Sequence, residues 1–238
     1  AVDGSAAFRV RCFGLRDTTV AALLDAAAEL RAVQQDPERA RIAAERAFAD
    51  ESVDVAQVVC FGPKHCGPNV LLSKLPCVNR LFAPPDAALA AMTNAVVSGF
   101  QLATAAGPMC LEPMEGVAFV LEAVETDDEL PFNRALALMA LKEACLETFQ
   151  TSKQRIKEPM YLCEIRYPSD CLGKVFQVLD KRRARVVDED FDPVMAMNIT
   201  RAQLPVAESF GFAGDIRNLT SGAAFTQIAF DRFVTMQA

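Results

Sequence analysis

The sequence predicts an α+β fold built from two domains. Its 238 residues exceed the usual domain length of about 100 to 150 residues, which favours two domains over one. Apolar residues make up 52% of the chain and charged residues 23%, enough apolar side chains for two cores. Strand and helix patterns alternate along the chain, and a pattern break near residue 157 suggests that residues 1–157 and 158–238 fold separately.

The first domain begins with one strand and two helices. Residues 8–13 alternate apolar and basic side chains, which is typical of a strand with one solvated face. Asp17 can cap an Ala-rich helix whose apolar residues recur at helical spacing as far as Leu30. Pro37 suits the first turn of a second helix that ends near Ala49, because an N–H there would be unpaired in any case.

Two further strands and two further helices complete this domain. Residues 53–61 form a mostly apolar strand, and two Gly-Pro pairings mark the following residues 62–69 as a rigid loop. A helix is predicted for residues 87–106, a strand for 116–124 and a helix for 134–149. The amphipathic pattern then ends just before a new strand, which places the domain boundary there.

The second domain has a compact order of elements. In sequence, we predict a strand at 160–165, a helix at 168–180, strands at 184–187 and 195–204, a helix from Glu208, and a strand at 225–233. This is the β-α-β-β-α-β order of the ferredoxin-like split β-α-β unit, in which both helices lie on one face of the sheet.

Composition excludes several classes of protein. The net charge of −7 argues against a protein that coats nucleic acid by bulk attraction, although it permits a local basic patch. No purely apolar run reaches the roughly 20 residues of a membrane helix, and the N-terminal residues do not resemble a signal peptide. We therefore expect no membrane association.

Cysteine spacing predicts free thiols and no metal centre. The eight cysteines are scattered without a C-x-x-C pair, several of them inside apolar runs, as buried thiols in a reducing cytoplasm are. His65 beside Cys66 lacks a plausible set of four ligands. We predict no metal site and a cytoplasmic location.

The chain shows no nucleotide-hydrolysis motif. Residues 62–67 have the glycine spacing of a phosphate-binding loop, but Pro68 and Asn69 stand where Lys and a hydroxyl residue are needed. The Gly-rich residues 209–214 do not match a dinucleotide fingerprint, and close packing of a helix on the sheet is the preferred interpretation. We predict no catalytic residues, while an independent enzyme remains a minority alternative.

One cluster of residues could bind a partner. Four cations occur where the first helix of the second domain ends and the next strand begins: Lys181, Arg182, Arg183 and Arg185. A turn with four cations could grip phosphates. From the residues alone, a solvated helix C-terminus whose cations complement the helix dipole is the favoured alternative.

Several segments resemble the fourth and fifth domains of elongation factor 2, a translational GTPase. In the first half these segments are residues 59–63, 67–69, 98–104, 107–110 and 112–114, and in the second half they are 158–161, 204–212 and 215–217. The resemblance implies an α/β fold like domain 2 of ribosomal protein S5 for residues 1–157 (domain IV). For residues 158–238 (domain V) it implies the ferredoxin-like fold of the elongation factor G C-terminus.

Within this class, residues 141–145 and 220–222 resemble the elongation factor-like GTPase of large ribosomal subunit maturation. The resemblance implies a monomeric parent GTPase that releases the anti-association initiation factor from the pre-60S subunit together with the Shwachman–Diamond protein. GTP and magnesium would bind a G domain outside this chain, so we expect no cofactor here. A true elongation factor 2 that promotes translocation is the alternative, and the spliceosomal relative is a further one.

An acidic tip favours subunit maturation over translocation. The corresponding tip of elongation factor 2 carries a modified histidine in a Gly-rich basic loop. Residues 125–132 have no histidine and hold four carboxylates, which RNA phosphates would repel: Glu125, Asp127, Asp128 and Glu129.

The resemblance also implies a role for the four cations of the second domain. In this class the fifth domain docks near the sarcin-ricin loop and the stalk-base proteins. We therefore expect Lys181, Arg182, Arg183 and Arg185 to contact ribosomal RNA of the large subunit.

Overall fold

The chain forms two compact units, Ala1–Gln154 and Arg155–Ala238. A computed structural model describes residues 6–32, 36–51, 53–125 and 132–236. The boundary between the units lies three residues before the predicted one, because the first strand of the second unit already begins at Lys157.

The first unit is an α/β domain with a four-stranded mixed sheet. Its elements are β1 (Ala7–Gly14), α1 (Asp17–Asp25), α2 (Ala27–Arg31), α3 (Pro37–Ala47), β2 (Val58–Gly62), β3 (Asn69–Ser73), α4 (Ala90–Ala105), β4 (Val117–Glu125) and α5 (Arg134–Gln150). The strand order is β1-β4-β3-β2. Strand β4 runs parallel to β3 and antiparallel to β1.

Both faces of β2, of β3 and of the first part of β4 are buried, whereas β1 at the edge of the sheet is partly exposed. On one face, Phe119 of β4 packs in a core with Phe100 of α4 and Leu141 of α5. On the other face, Val120 joins a core with Leu23 of α1 and residues of α3. Because alternate residues of β4 enter opposite cores, the strand is apolar along nearly its whole length, as its sequence shows.

The first unit departs from the predicted elements at two places. The strand predicted from residue 53 begins only at Val58, because Asp54 accepts a hydrogen bond from the Ala56 amide (3.0 Å) and sets a 3₁₀ turn. The single helix predicted as far as Leu30 is two helices that meet at Ala26. Helix α3 begins as predicted, with Pro37 in its first turn.

Helix α4 is the most apolar helix of the first unit. With the 3₁₀ turn before it, the segment Ala87–Ala105 has a mean hydropathy of 1.2 and is the one helix within the described residues whose length and composition would suit a membrane span. Val96, Phe100 and Ala103 are buried in the core, while Leu102 is 48% exposed.

The second unit confirms the predicted β-α-β-β-α-β order. Its elements are β5 (Lys157–Tyr167), α6 (Leu172–Lys181), β6 (Arg185–Asp192), β7 (Met197–Pro205), α7 (Phe212–Leu219) and β8 (Phe225–Thr235). The sheet is antiparallel with the order β6-β7-β5-β8. Ile165 of β5 shares a core with Leu179 of α6 and Phe212 of α7, so the unit has the ferredoxin-like fold.

Candidate functional site

The four predicted cations lie together where α6 ends. Lys181 is the last residue of the helix, Arg182 is its C-cap, and Arg183 has a left-handed backbone with a φ of 53°. The Ala184 amide then donates to the Leu179 carbonyl oxygen at 3.0 Å, which closes the helix end. Arg185 opens β6 on the edge of the sheet.

Arg182 points into its own unit. Its side chain is only 15% exposed, and Nη1 donates to the carbonyl oxygens of Phe210 (2.8 Å) and Glu208. Nη2 donates to Oδ2 of Asp215 at 2.6 Å, while Nε is buried without a hydrogen-bond partner. The guanidinium therefore fastens the β7–α7 connection to the end of α6, and it is not positioned to receive an RNA phosphate as the sequence analysis expected.

The partner of this contact is an ionised carboxyl. The hydrogen bond from Arg182 holds the pKa of Asp215 below its usual range. The charge of Arg182 lowers this pKa further and that of Lys181 also contributes, whereas partial burial opposes them. Asp215 therefore stays ionised and completes the clamp.

The other three cations of the turn are exposed. Lys181 and Arg185 are exposed, and the Arg183 side chain is about half exposed. Nη2 of Arg183 lies 3.4 Å from Oε2 of Glu158, and Nε of Arg183 lies 3.5 Å from Oε1 of Glu208. The turn therefore presents cations interspersed with carboxylates instead of an uncompensated positive patch.

The segment that Arg182 holds presents an aromatic side chain to solvent. Phe210 is 78% exposed. Gly211 follows it with a φ of 77°, a backbone that side-chain-bearing residues rarely adopt. Helix packing on the sheet is provided by Phe212 and Ile216, which are buried against strand β5. Gly214 is not needed for it, since a Cβ there would have nothing within 4 Å. The exposure of Phe210 was not predicted from the sequence, although its place in a Gly-rich segment was a usable signal.

The Gly-rich loop of the first unit is filled by its own backbone. A Cβ on Gly67 would lie 2.4 Å from the Gly62 carbonyl oxygen. The buried Asn69 amide donates to the carbonyl oxygens of Gly62 (3.0 Å) and Met114 (2.8 Å) and accepts from the Val117 amide (3.0 Å). The glycine spacing therefore serves a close turn, and no phosphate cradle forms between residues 62 and 69.

The cysteines are free thiols. Burial raises the pKa of Cys60, that of Cys145 to about 12 and that of Cys163 to about 11, so these thiols stay protonated and unreactive. Within residues 6–32, 36–51, 53–125 and 132–236, no three His, Cys, Asp or Glu side chains gather as a metal site would require.

The acidic tip is only partly described. Glu125 is exposed at the end of β4. Asp127, Asp128 and Glu129 lie outside the described residues. Their role at the tip stays a prediction from the sequence.

Known proteins are similar to this chain in both units. The family described as "Elongation factor G C-terminus" matches residues 155–238. The "Elongation factor-like GTPase 1" of Homo sapiens is 35% identical over an aligned length of 239 residues, covering 75% of this chain and 21% of the relative. The "Ribosome assembly protein 1" of Schizosaccharomyces pombe is 33% identical over 189 residues, covering 74% of this chain and 19% of that protein.

The extent of these matches defines what the chain corresponds to. It spans about a fifth of the length of the curated relatives. A match over 75% of the chain is about twice as long as the second unit and therefore extends into the first. The second unit belongs to the elongation factor G C-terminus family, and the chain as a whole corresponds to the C-terminal domains of an elongation factor 2-class GTPase.

Proposed function

We propose that this chain is the C-terminal, ribosome-docking part of an elongation factor-like GTPase that acts in cytoplasmic maturation of the large ribosomal subunit. The observation that carries the proposal is a similarity through both units to relatives whose names refer to an elongation factor-like GTPase and to ribosome assembly. In this role the parent protein releases the anti-association initiation factor from the pre-60S subunit, in concert with the Shwachman–Diamond protein.

In this proposal the GTP chemistry belongs to the parent and not to this chain. GTP and magnesium bind a G domain outside residues 1–238. Two observations support this division: the loop at residues 62–69 is filled by its own backbone, and Arg182 and Asp215 are engaged with each other beside the other Gly-rich segment. The chain contributes binding and orientation on the ribosome.

The surface at the end of α6 is the proposed docking site. Lys181 and Arg185 are exposed there and would contact ribosomal RNA near the stalk base, where each phosphate contact adds affinity that falls with salt. Arg182 is only 15% exposed and binds carbonyl oxygens of its own unit. The RNA-binding role is therefore assigned to exposed cations of the turn, Lys181 and Arg185 among them.

Charge reversal tests this site. In the full-length parent, Lys181→Glu with Arg185→Glu should weaken binding to purified large subunits about tenfold or more at low salt and should flatten the salt dependence of binding. The matched control is Lys153→Glu with Arg232→Glu, two exposed cations elsewhere that give the same net charge. Equal effects of the two pairs, or an unchanged salt slope, would contradict the assignment.

Depletion of the parent protein separates subunit maturation from translocation. Under the proposal, depletion traps the anti-association initiation factor on free large subunits. Polysomes that stall during elongation, with normal recycling of that factor, would favour the alternative of a true elongation factor 2. The distribution of the factor across a sucrose gradient distinguishes these results.

A further inference from the structure

Phe210 combines high exposure with a fixed position. The side chain is 78% exposed, and a Phe side chain gains free energy when it is buried against a partner. Two side chains hold the flanking segment by hydrogen bonds. Arg182 donates to the carbonyl oxygens of Phe210 and Glu208, and Ser209 Oγ donates to the Val206 carbonyl oxygen at 2.7 Å. The connection is therefore ordered before any partner arrives, which lowers the entropic cost of binding.

The clamp fixes the backbone that carries Phe210. Arg182 is largely buried, and its Nε lacks a hydrogen-bond partner, which by itself destabilises the fold. The three hydrogen bonds from Nη1 and Nη2 of the same guanidinium offset this cost. Two of them end on the carbonyl oxygens of Glu208 and Phe210, so they hold the segment in place.

The residues that follow Phe210 leave room for close approach. Gly211, Ala213 and Gly214 are all exposed, and a Cβ at Gly214 would meet nothing within 4 Å. These three residues therefore add little side-chain bulk next to Phe210, which is 78% exposed. An exposed aromatic side chain with small neighbours can serve as an anchor residue that enters a pocket.

The charges around Phe210 favour a protein partner over RNA. Glu208 and Asp215 flank the segment, and two cations beside it are paired with them, Arg182 with Asp215 at 2.6 Å and Arg183 with Glu208 at 3.5 Å. A base stacked on Phe210 would bring its phosphates towards these carboxylates. Paired charges around a central aromatic residue are instead typical of the polar rim of a protein interface.

We propose that Phe210 is the anchor of a protein-binding surface, formed by residues 208–215 and held by Arg182, that inserts into an apolar pocket on a protein of the large ribosomal subunit. This inference rests on the proposed docking to that subunit. It adds a second kind of contact, because the exposed cations of the α6 turn face RNA while Phe210 faces protein.

The first test compares two exposed phenylalanines of the second unit. Phe210→Ala in the full-length parent should weaken binding to large subunits at least about tenfold, as loss of an aromatic anchor does. The salt slope should not change, and neither should binding to protein-free ribosomal RNA. Phe225→Ala is the matched control, since Phe225 is 65% exposed on β8 but lies outside the clamped segment.

The outcomes separate the inference from the proposed function. If the unaltered parent fails to bind large subunits, the proposed function is wrong. If the parent binds but Phe210→Ala binds equally well, only the anchor is wrong. A loss that appears equally on protein-free RNA overturns the choice of a protein partner and favours base stacking.

A double-mutant cycle tests the clamp itself. Arg182→Lys keeps the charge but cannot hold two carbonyl oxygens and a carboxylate in one plane. If Arg182 acts by presenting Phe210, Arg182→Lys weakens binding in the unaltered parent and has little effect in the Phe210→Ala background. Additive losses would contradict the positioning role, and urea denaturation of each variant checks that the second unit remains folded.

Discussion

At the scale of single residues, the four cations of the α6 turn differ in burial and in what they contact. Four cations within five positions look equivalent in the sequence, yet the structure separates them by burial. Arg182 is turned inward to Asp215, Glu208 and Phe210, while Lys181 and Arg185 are exposed. One of four cations that look alike in the sequence therefore holds the adjacent segment of its own unit.

The clamp predicts a specific dependence of stability on pH. Because the pKa of Asp215 is lower in the folded chain than its ordinary value of about 3.8, the ionised carboxyl stabilises the fold above that pH, and the contribution is lost as the pH falls through the folded-state value. The unaltered chain should be more stable than Asp215→Asn by a nearly constant amount from about pH 7 to about pH 5, and the difference should shrink below about pH 4.

Urea denaturation of the second unit across this pH range measures the difference. Asp170→Asn, at an exposed aspartate of the same unit, is the control for the loss of one carboxylate. A stability advantage of Asp215 that persisted unchanged to pH 3 would contradict the ionised clamp.

At the scale of elements, the sequence predicted the order of strands and helices better than their ends. Pro37 after a capping Asp36 marked the start of α3 correctly. Strand β6 was predicted to end at residue 187 but continues to Asp192, because an edge strand held by backbone pairing with β7 needs no apolar alternation. Helix α7 begins at Phe212 instead of Glu208, since the left-handed Gly211 precedes it.

The inward turn of Arg182 could not be predicted from the sequence. Its partner Asp215 lies 33 positions away, and only the packing of α6 beside α7 brings the two together. A cation in a basic run is normally solvated, so local pattern favours exposure. Long-range packing sets the inward orientation of the Arg182 side chain, and the neighbouring residues in the sequence do not indicate it.

Two helical glycines predict opposite effects of the same substitution. In α4, a Cβ on Gly99 would lie 2.6 Å from the Leu138 carbonyl oxygen of α5, so Gly99→Ala should destabilise the first unit by about 1 to 3 kcal/mol through overpacking. In α6, a Cβ on Gly173 would meet nothing within 4 Å, so Gly173→Ala should stabilise the second unit by up to about 1 kcal/mol. Chemical denaturation measures both, and a shared sign would show that the α4–α5 contact is not as close as described.

At the scale of the whole molecule, the two units have separate hydrophobic cores and a shared ancestry with GTPase relatives. The core of the second unit contains only residues of that unit. The loop at residues 62–69 is filled by its own backbone, and the segment at residues 209–214 presents Phe210 to solvent. Under the proposed function, the chain contributes binding and positioning to the parent GTPase.

This account predicts that the isolated chain neither binds nor hydrolyses GTP. Equilibrium binding of a fluorescent GTP analogue should show no saturation, with or without magnesium, because neither Gly-rich segment, residues 62–69 or 209–214, has the residues of a phosphate-binding loop. Phosphate release should match the buffer blank. Saturable binding with turnover would mean that the chain is an independent enzyme and would refute its assignment as part of a larger GTPase.

Co-sedimentation of the 238-residue chain with purified ribosomal subunits tests the central claim most directly. The account predicts that the chain pellets with large subunits, that added salt weakens the binding, and that small subunits bind it far less. Equal binding to both subunits, or no binding to large subunits at low salt, would contradict a role in docking on the large subunit.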